Sequence, residues 1–440
     1  MEDLIEIVAG SEIGFRFAFE TCYQLSADGA IPIGEIEDQP TLAIRGFHLN
    51  LDSYRQLTFE DAKYLIENAG RMKINTLLVE YSNRFPFEKY RQINSPAAFH
   101  KDEIIELVKI AKNNFINIIP LQQSIGHLGY LLDHDTFSSY REENSFKDQL
   151  CPLNPNSTKL IKELIEEILA LHPNTTHFHI GGDETRRLGS CVKCQDKVNR
   201  QGVSKLYVDY INEISDWLIS KQITPLIWDD MVCAHPEALN DLNKEIVILY
   251  WDYWAVSRKS PFFVARYGRR GRPAIVYDQR WDSEWKNELT ELEKSVMKTY
   301  GHAVPLEKNL GQDFLDLFGD YLGDEFPKRI RSYPYLEFYK NKGFKVIAGP
   351  TAGNKGDNYY SMPNYWRHIP NIEVACRRCE EVQGEGVITT AWHNSMPLMA
   401  HLGLAATAQY AWSASFEALR QLERNTLSQI GQKCVEKFDT

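Results

Sequence analysis

A chain of 440 residues with 43% apolar side chains can bury a large core, as two or three domains or as one α/β barrel with long loops. A net charge of −11 repels phosphates and argues against a nucleic-acid partner, and no apolar run approaches the ~20 residues of a membrane-spanning helix. Eight cysteines are too sparse for a disulfide scaffold. The start, Met1-Glu-Asp-Leu-Ile-Glu6, lacks the basic-then-apolar order of a secretory signal. It predicts a cytoplasmic protein unless a signal has been removed.

Residues 1–40 hold one helical stretch, Gly14–Leu25, and a loop, too little for a domain of its own. From residue 41, short apolar runs alternate with amphipathic stretches. The predicted strands are Leu42–Leu49, Ile74–Glu80, Ile116–Leu121, Thr176–Gly181, Thr224–Trp228, Ile246–Tyr250, Phe344–Ala348 and Gly386–Ala391. Helical patterns between them include Phe59–Arg71, Asp102–Asn113, Thr158–Leu171, Val203–Lys221 and Asn371–Val382. In Thr158–Leu171 the apolar positions Leu160, Ile161, Leu164, Ile165, Ile168 and Leu169 follow helical spacing. Eight strand-then-helix units over about 360 residues predict a (β/α)8 TIM barrel across residues 41–440. No GxGxxG turn follows an early strand, which removes the main support for a dinucleotide-binding sheet. The stretch Ala255–Lys328, with its basic patch Arg266-Tyr-Gly-Arg-Arg-Gly-Arg272, breaks the rhythm. It reads as a long insertion after strand 6, above the barrel mouth.

In such a barrel the reactive groups come from the C-terminal ends of strands and the loops that follow. That rule picks out Arg45 and His48; Glu80; His127; Asp183 and Glu184; Trp228, Asp229 and Asp230; Trp251, Asp252, Tyr253 and Trp254; and Trp392, His393 and Asn394. The most informative segment is His177-Phe-His-Ile-Gly-Gly-Asp-Glu184. His177 and His179 alternate onto one face, while Phe178 and Ile180 face the helices. Gly181-Gly182 lets the backbone bend so that two adjacent carboxylates aim into the mouth. Paired carboxylates near aromatic rings are the equipment of glycosidic cleavage. Adjacent ones can hardly sit on opposite faces of one sugar ring, which favours two different tasks on the same side. Aromatic residues, 12% of the chain, stack on sugar C–H faces as readily as they fill a core. A lone Asp-Glu pair is also compatible with a solvated turn.

His179-Ile-Gly-Gly-Asp-Glu184 resembles the His-x-Gly-Gly-Asp-Glu signature of glycoside hydrolase family 20, the β-N-acetylhexosaminidases. The resemblance runs from Arg45-Gly-Phe-His-Leu-Asn50 through Ile125-Gly-His127 to Thr390-Ala-Trp392, about residues 41 to 415. It implies a retaining exo-enzyme that removes terminal β-linked GlcNAc or GalNAc from N-acetylhexosamine-terminated glycans, without a catalytic cofactor. By this resemblance Glu184 is the general acid and then the base, and Asp183 holds the substrate's 2-acetamido N–H. The acetamido oxygen then attacks the anomeric carbon and forms an oxazoline. Arg45 would clamp hydroxyls at the non-reducing end; Trp228, Trp251, Trp254 and Trp392 would wall the pocket. His127 and His179, with Glu80 behind them, would hold the acid and its neighbours in register. The segment ending Gly34-Glu-Ile-Glu-Asp-Gln-Pro40 looks like the tail of the small α/β domain that precedes the barrel in many members, so the N-terminal part reads as truncated. Oligomeric state is left open, a homo-oligomer included.

The sequence departs from the family in two places. Many members place an acetamido-gripping Tyr and a hydroxyl-binding Asp around strand 7, where this chain reads Val346-Ile-Ala-Gly-Pro-Thr351. Tyr253 is the substitute candidate. A Glu often follows the last Trp by two residues; here it is Asn394, whose amide still bonds a hydroxyl. Cys191-Val-Lys-Cys194, with Cys151 as third ligand, suggests a structural zinc site, whereas Cys376 and Cys379 read as packed thiols on a helix. Two rival readings use the same residues: a barrel that binds carbohydrate without turnover, and a metal-dependent amino-sugar deacetylase with His177 and His179 as two ligands.

Overall fold

Each apolar run becomes a strand with both faces covered, and each amphipathic stretch a helix laid on the outside. The computed structural model describes residues 4–26, 29, 31, 33–51, 57–256, 334–353, 363–392 and 401–413, with short pieces between 264 and 321. Eight parallel strands pair in chain order: Ile44–Asn50 (β1), Thr76–Glu80 (β2), Asn117–Leu121 (β3), His177–His179 (β4), Thr224–Trp228 (β5), Val247–Trp251 (β6), Lys345–Gly349 (β7) and Gly386–Ala391 (β8). β8 then pairs with β1, Ile44 beside Gly386 and Phe47 beside Thr389, so the sheet closes into a (β/α)8 barrel. β4 is shorter than its apolar run because Gly181 and Gly182 turn left-handed, with φ of 68° and 96°.

Among the described residues the helices of two or more turns are Glu12–Leu25 (α1), Phe59–Arg71 (α2), Lys101–Asn113 (α3), Ser157–Leu171 (α4), Val192–Gln201 (α5), Val203–Ser220 (α6), Pro334–Asn341 (α7), Tyr365–Glu381 (α8) and His401–Trp412 (α9). Their starts follow local chemistry. At α2, Thr58 and Asp61 form a reciprocal capping box, Asp61 N–H donating to Thr58 Oγ1 at 3.2 Å and Thr58 N–H to Asp61 Oδ2 at 2.9 Å. α8 begins six residues before the expected Asn371, because Pro370, which reads as a helix stop, sits inside it.

Strand parity sorts the core into two. Leu78, Ile119, Leu121, Leu226, Trp228, Val247, Leu249, Ile347 and Ile388 fill the barrel interior. The alternate residues, among them Phe47, Leu49, Leu77, Val79, Ile118, Phe178, Ile227, Ile248, Val346 and Val387, pack outward against the helices. The interior set therefore ends at the mouth in His48, Glu80, His179, Trp228 and Trp251. At the opposite end, α1 and the last turn of α9 close the floor, where the Phe17 and Trp412 rings meet edge-on at 5.1 Å. The described part of the insertion after β6 includes a small sheet of Val264–Arg266, Ala274–Asp278 and His302–Val304. Among the described residues no helix is long and apolar enough to cross a membrane.

Candidate active site

The turn after β4 carries the two adjacent carboxylates. A Cβ on Gly181 would lie 1.9 Å from Gln123 Oε1, and one on Gly182 would lie 2.8 Å from the Tyr207 hydroxyl. Both glycines are demanded by φ, and a side chain at either would also have to displace the Gln123 amide or the Tyr207 hydroxyl. Tyr207 donates to Gly182 O at 3.0 Å, and Gly181 N–H donates to His179 Nδ1 at 3.0 Å, so the turn is tied on both sides. Burial holds His179 well below its usual pKa, and the ring is neutral. Glu184 itself has a left-handed backbone, φ 45°, and its N–H donates to Asp230 Oδ2 at 2.8 Å. Burial, then the charge of Asp183, drives Asp230 well above the carboxylate range.

His127, also left-handed at φ 53°, bridges the pair: its Nε2 lies 3.3 Å from Asp183 Oδ2 and 3.5 Å from Glu184 Oε2. The Asp183 charge is the main cause that lifts the imidazole from 6.5 to about 10, against the opposing effect of burial. Two strained backbones thus meet at the carboxylate pair, as is common where geometry outranks local stability. Arg186 Nη2 donates to Glu184 Oε2 at 2.7 Å. Behind them, Glu80 accepts from Asn50 Nδ2 at 3.1 Å and Gln123 Nε2 at 3.2 Å, and lies 3.5 Å from His48 Nε2.

Aromatic rings stand at the C-terminal ends of β5, β6 and β8, on the same rim. Trp228 stands 4.4 Å from the His179 ring and 5.7 Å from Trp392, and Trp392 stands 4.6 Å from His48. Trp251, Tyr253 and Trp254 form a contiguous group with centroid separations of 5.2 to 6.1 Å. Trp392 Nε1 donates to the Tyr253 hydroxyl at 2.7 Å, which joins the two groups. Asp229 sits underneath, accepting from Trp251 N–H at 3.1 Å and Tyr339 OH at 3.0 Å; burial raises it to about 8. Asp183 Oδ1, His179 Nε2 and Trp228 Nε1 are among the buried polar atoms here that have no hydrogen-bond partner among the described residues. The structure thus brings together Glu80, His127, His179, Asp183, Glu184 and Trp228 with Trp251, Tyr253, Trp254 and Trp392. Asn394 lies outside the described residues.

Arg45 requires a correction. It shares the parity of Phe47 and Leu49, not of His48, and lies at the start of β1. Its guanidinium is buried at the floor, donating to Lys73 O at 2.9 Å and Leu42 O at 3.0 Å, and lies over the Phe17 and Trp412 rings. Parity alone, read along Arg45-Gly-Phe-His48, would have excluded it from the mouth.

The loops beside the site hold a second cluster. Cys151 Sγ lies 3.6 Å from both Cys191 Sγ and Cys194 Sγ. Cys194 Sγ contacts Glu142 Oε2 at 3.3 Å, and all four donors fall within 4.8 Å of one another. The sequence reading missed Glu142 because no spacing rule links it to the CxxC pair. Neither His177 nor His179 belongs to this donor group. Cys376 and Cys379 are buried on α8, Cys379 Sγ contacting Gly386 O at 3.0 Å, as packed thiols would.

The chain matches the profile of glycosyl hydrolase family 20, catalytic domain, over residues 43–275. It is 34% identical over 191 residues to hexosaminidase D of Homo sapiens, covering 41% of this chain and 39% of that protein. It is 30% identical over 189 residues to hexosaminidase D of Bos taurus, covering 41% and 55%. The matched region thus spans well under two thirds of either relative. Among solved structures, a β-N-acetylhexosaminidase from Bacteroides fragilis superposes with a TM-score of 0.63 over 98% of this chain and 79% of that one. At 14% identity that likeness concerns the fold.

Proposed function

The chain belongs to glycosyl hydrolase family 20, and on that premise we propose that it is a retaining exo-β-N-acetylhexosaminidase. Its substrates would be glycans ending in β-linked N-acetylglucosamine or N-acetylgalactosamine, cleaved through an oxazoline formed by the substrate's own acetamido group. The observation that carries this reading is the placement of Asp183. Its Oδ1 is buried and lacks a partner among the described residues, next to Glu184 and four residues after His179, whose ring packs on Trp228. A carboxylate oxygen of that kind suits an amide N–H. Accepting it, Asp183 would stabilise the positive charge that grows on nitrogen as the acetamido oxygen attacks.

In this reading Glu184 protonates the leaving oxygen and then activates water. Arg186 and His127 position its carboxyl group. Trp228, Trp251, Trp254 and Trp392 enclose the sugar and its acetamido methyl, and Tyr253 supplies the hydroxyl that the strand 7 segment lacks. His179 and Glu80 keep the pair in register from beneath. Asn394 would contact a sugar hydroxyl. Catalysis needs no cofactor; a structural zinc ion is proposed at Cys151, Cys191 and Cys194. Those thiols must stay reduced to bind it, which suits a cytoplasmic setting.

The test is hydrolysis of aryl N-acetyl-β-glucosaminides by the full chain. Glu184→Gln is expected to lower turnover ~10²–10⁴-fold for poor leaving groups and much less for activated ones. A thiazoline mimic of the oxazoline should inhibit far more tightly than product. A stable glycosyl-enzyme formed on any carboxylate by a 2-fluoro glycoside would overturn the mechanism.

A further inference from the structure

We infer that Glu142 completes a four-donor zinc site with Cys151, Cys191 and Cys194, and that the ion acts as a clasp presenting Glu184 in its working position. The inference rests on the hydrolase reading for its kinetic half only.

The donor set fits zinc. Two thiolates at ~2.3 Å from a tetrahedral zinc stand about 3.8 Å apart, and a thiolate and a carboxylate oxygen about 3.5 Å. The observed separations are 3.6 Å for Cys151 to Cys191, 3.6 Å for Cys151 to Cys194 and 3.3 Å for Cys194 to Glu142. A disulfide would need about 2.05 Å, and the cysteines are free. Three soft sulfur ligands with one carboxylate select zinc over magnesium or calcium. Glu142, Cys151 and Cys194 are buried, and Leu206 packs against the two cysteines.

The clasp follows from which segments the donors join. Glu142 lies on the Arg141–Glu143 strand and Cys151 just after the Phe146–Leu150 strand, the two arms of a hairpin that follows β3. Cys191 and Cys194 lie at the start of α5, a few residues after the acid–base pair. Both joined segments reach the pair. From the hairpin, Asp148 Oδ2 stands 3.9 Å from His127 Nδ1, and Gln149 Oε1 accepts from Arg187 N–H at 2.8 Å. From the loop, Arg186 holds Glu184. An ion drawing hairpin and loop together therefore fixes His127 and Arg186, the two groups that orient the Glu184 carboxyl.

Zinc is measured on the full chain by elemental analysis and by competition with a chromophoric chelator, with no turnover involved. About one zinc per chain is expected. Glu142→Ala should weaken binding at least tenfold, and Glu142→His should restore it. Zinc-depleted protein, checked for retained fold by circular dichroism, should lose about tenfold or more in kcat on poor leaving groups and little on activated ones, with KM nearly unchanged. Readdition of zinc should reverse the loss. No zinc at any stoichiometry overturns the metal site while leaving the hydrolase reading intact. Unchanged affinity in Glu142→Ala removes Glu142 from it. An equal loss for both leaving groups, or none, overturns the clasp. Zinc binding in a chain without hydrolytic activity would instead count against the hydrolase reading.

Discussion

The backbone N–H of Glu184 donates to Asp230 Oδ2 across 2.8 Å, so a carboxyl group at the start of the short helix after β5 sets the angle of a residue after β4. Without that bond the left-handed backbone at Glu184, φ 45°, loses the partner of its N–H. Asp230→Ala is expected to reduce kcat about 10²-fold, the usual effect of misplacing a reacting group by 1 Å. Asp230→Asn, which keeps an acceptor oxygen, should lose far less. Steady-state kinetics on both variants decides this; equal losses would show that the hydrogen bond is not the cause.

His127 reports on Asp183. Because the Asp183 charge is the main reason its folded pKa stands at about 10, Asp183→Asn should bring the imidazole back toward ~6.5. A histidine NMR titration reads this directly. The same shift acts on stability. A group whose pKa is raised on folding stabilises fully below its unfolded pKa of ~6.5, and that contribution fades as pH rises toward about 10. Denaturation midpoints should fall across that window in the wild type and fall less in Asp183→Asn. The ring is 38% exposed, so solvent screening keeps the effect below its full linkage value.

Gly126 leaves room for the turn that carries Asp183 and Glu184. A Cβ there would lie 2.6 Å from Asp183 O, a backbone atom that cannot swing aside as a side chain can. Gly126→Ala should push the Asp183 carbonyl outward and lower kcat about 10²-fold with the protein still folded. Normal turnover in a folded Gly126→Ala protein would mean that the loop yields instead.

Arg45 should matter for stability alone. Arg45→Met leaves the Lys73 and Leu42 carbonyls without their donor and is expected to cost about 2–4 kcal/mol. KM for the aryl glycosides should not change, because the residue lies at the barrel floor. Chemical denaturation and kinetics on the same preparation separate the two; a raised KM would return Arg45 to the mouth.

Local regularities were enough to read the strands, most helices and the His-Ile-Gly-Gly-Asp-Glu turn. Period-two and period-3.6 burial is written residue by residue, and glycines mark where the backbone must turn left-handed. Parity was legible too, and it places Arg45 on the outer face of β1 even though His48, three residues on, lines the mouth. The start of α8 was obscured by Pro370, which local rules treat as a stop and tertiary packing accommodates. Only the tertiary structure could join Glu184 to Asp230, His127 to Asp148 or Glu142 to Cys194. Those partners are 46, 21 and 52 positions apart in the sequence and meet because barrel closure brings successive loops to one rim. Sequence periodicity specifies which face of an element is buried. Which loops then touch above the barrel depends on how strands register and loops fold over, and no local pattern encodes that.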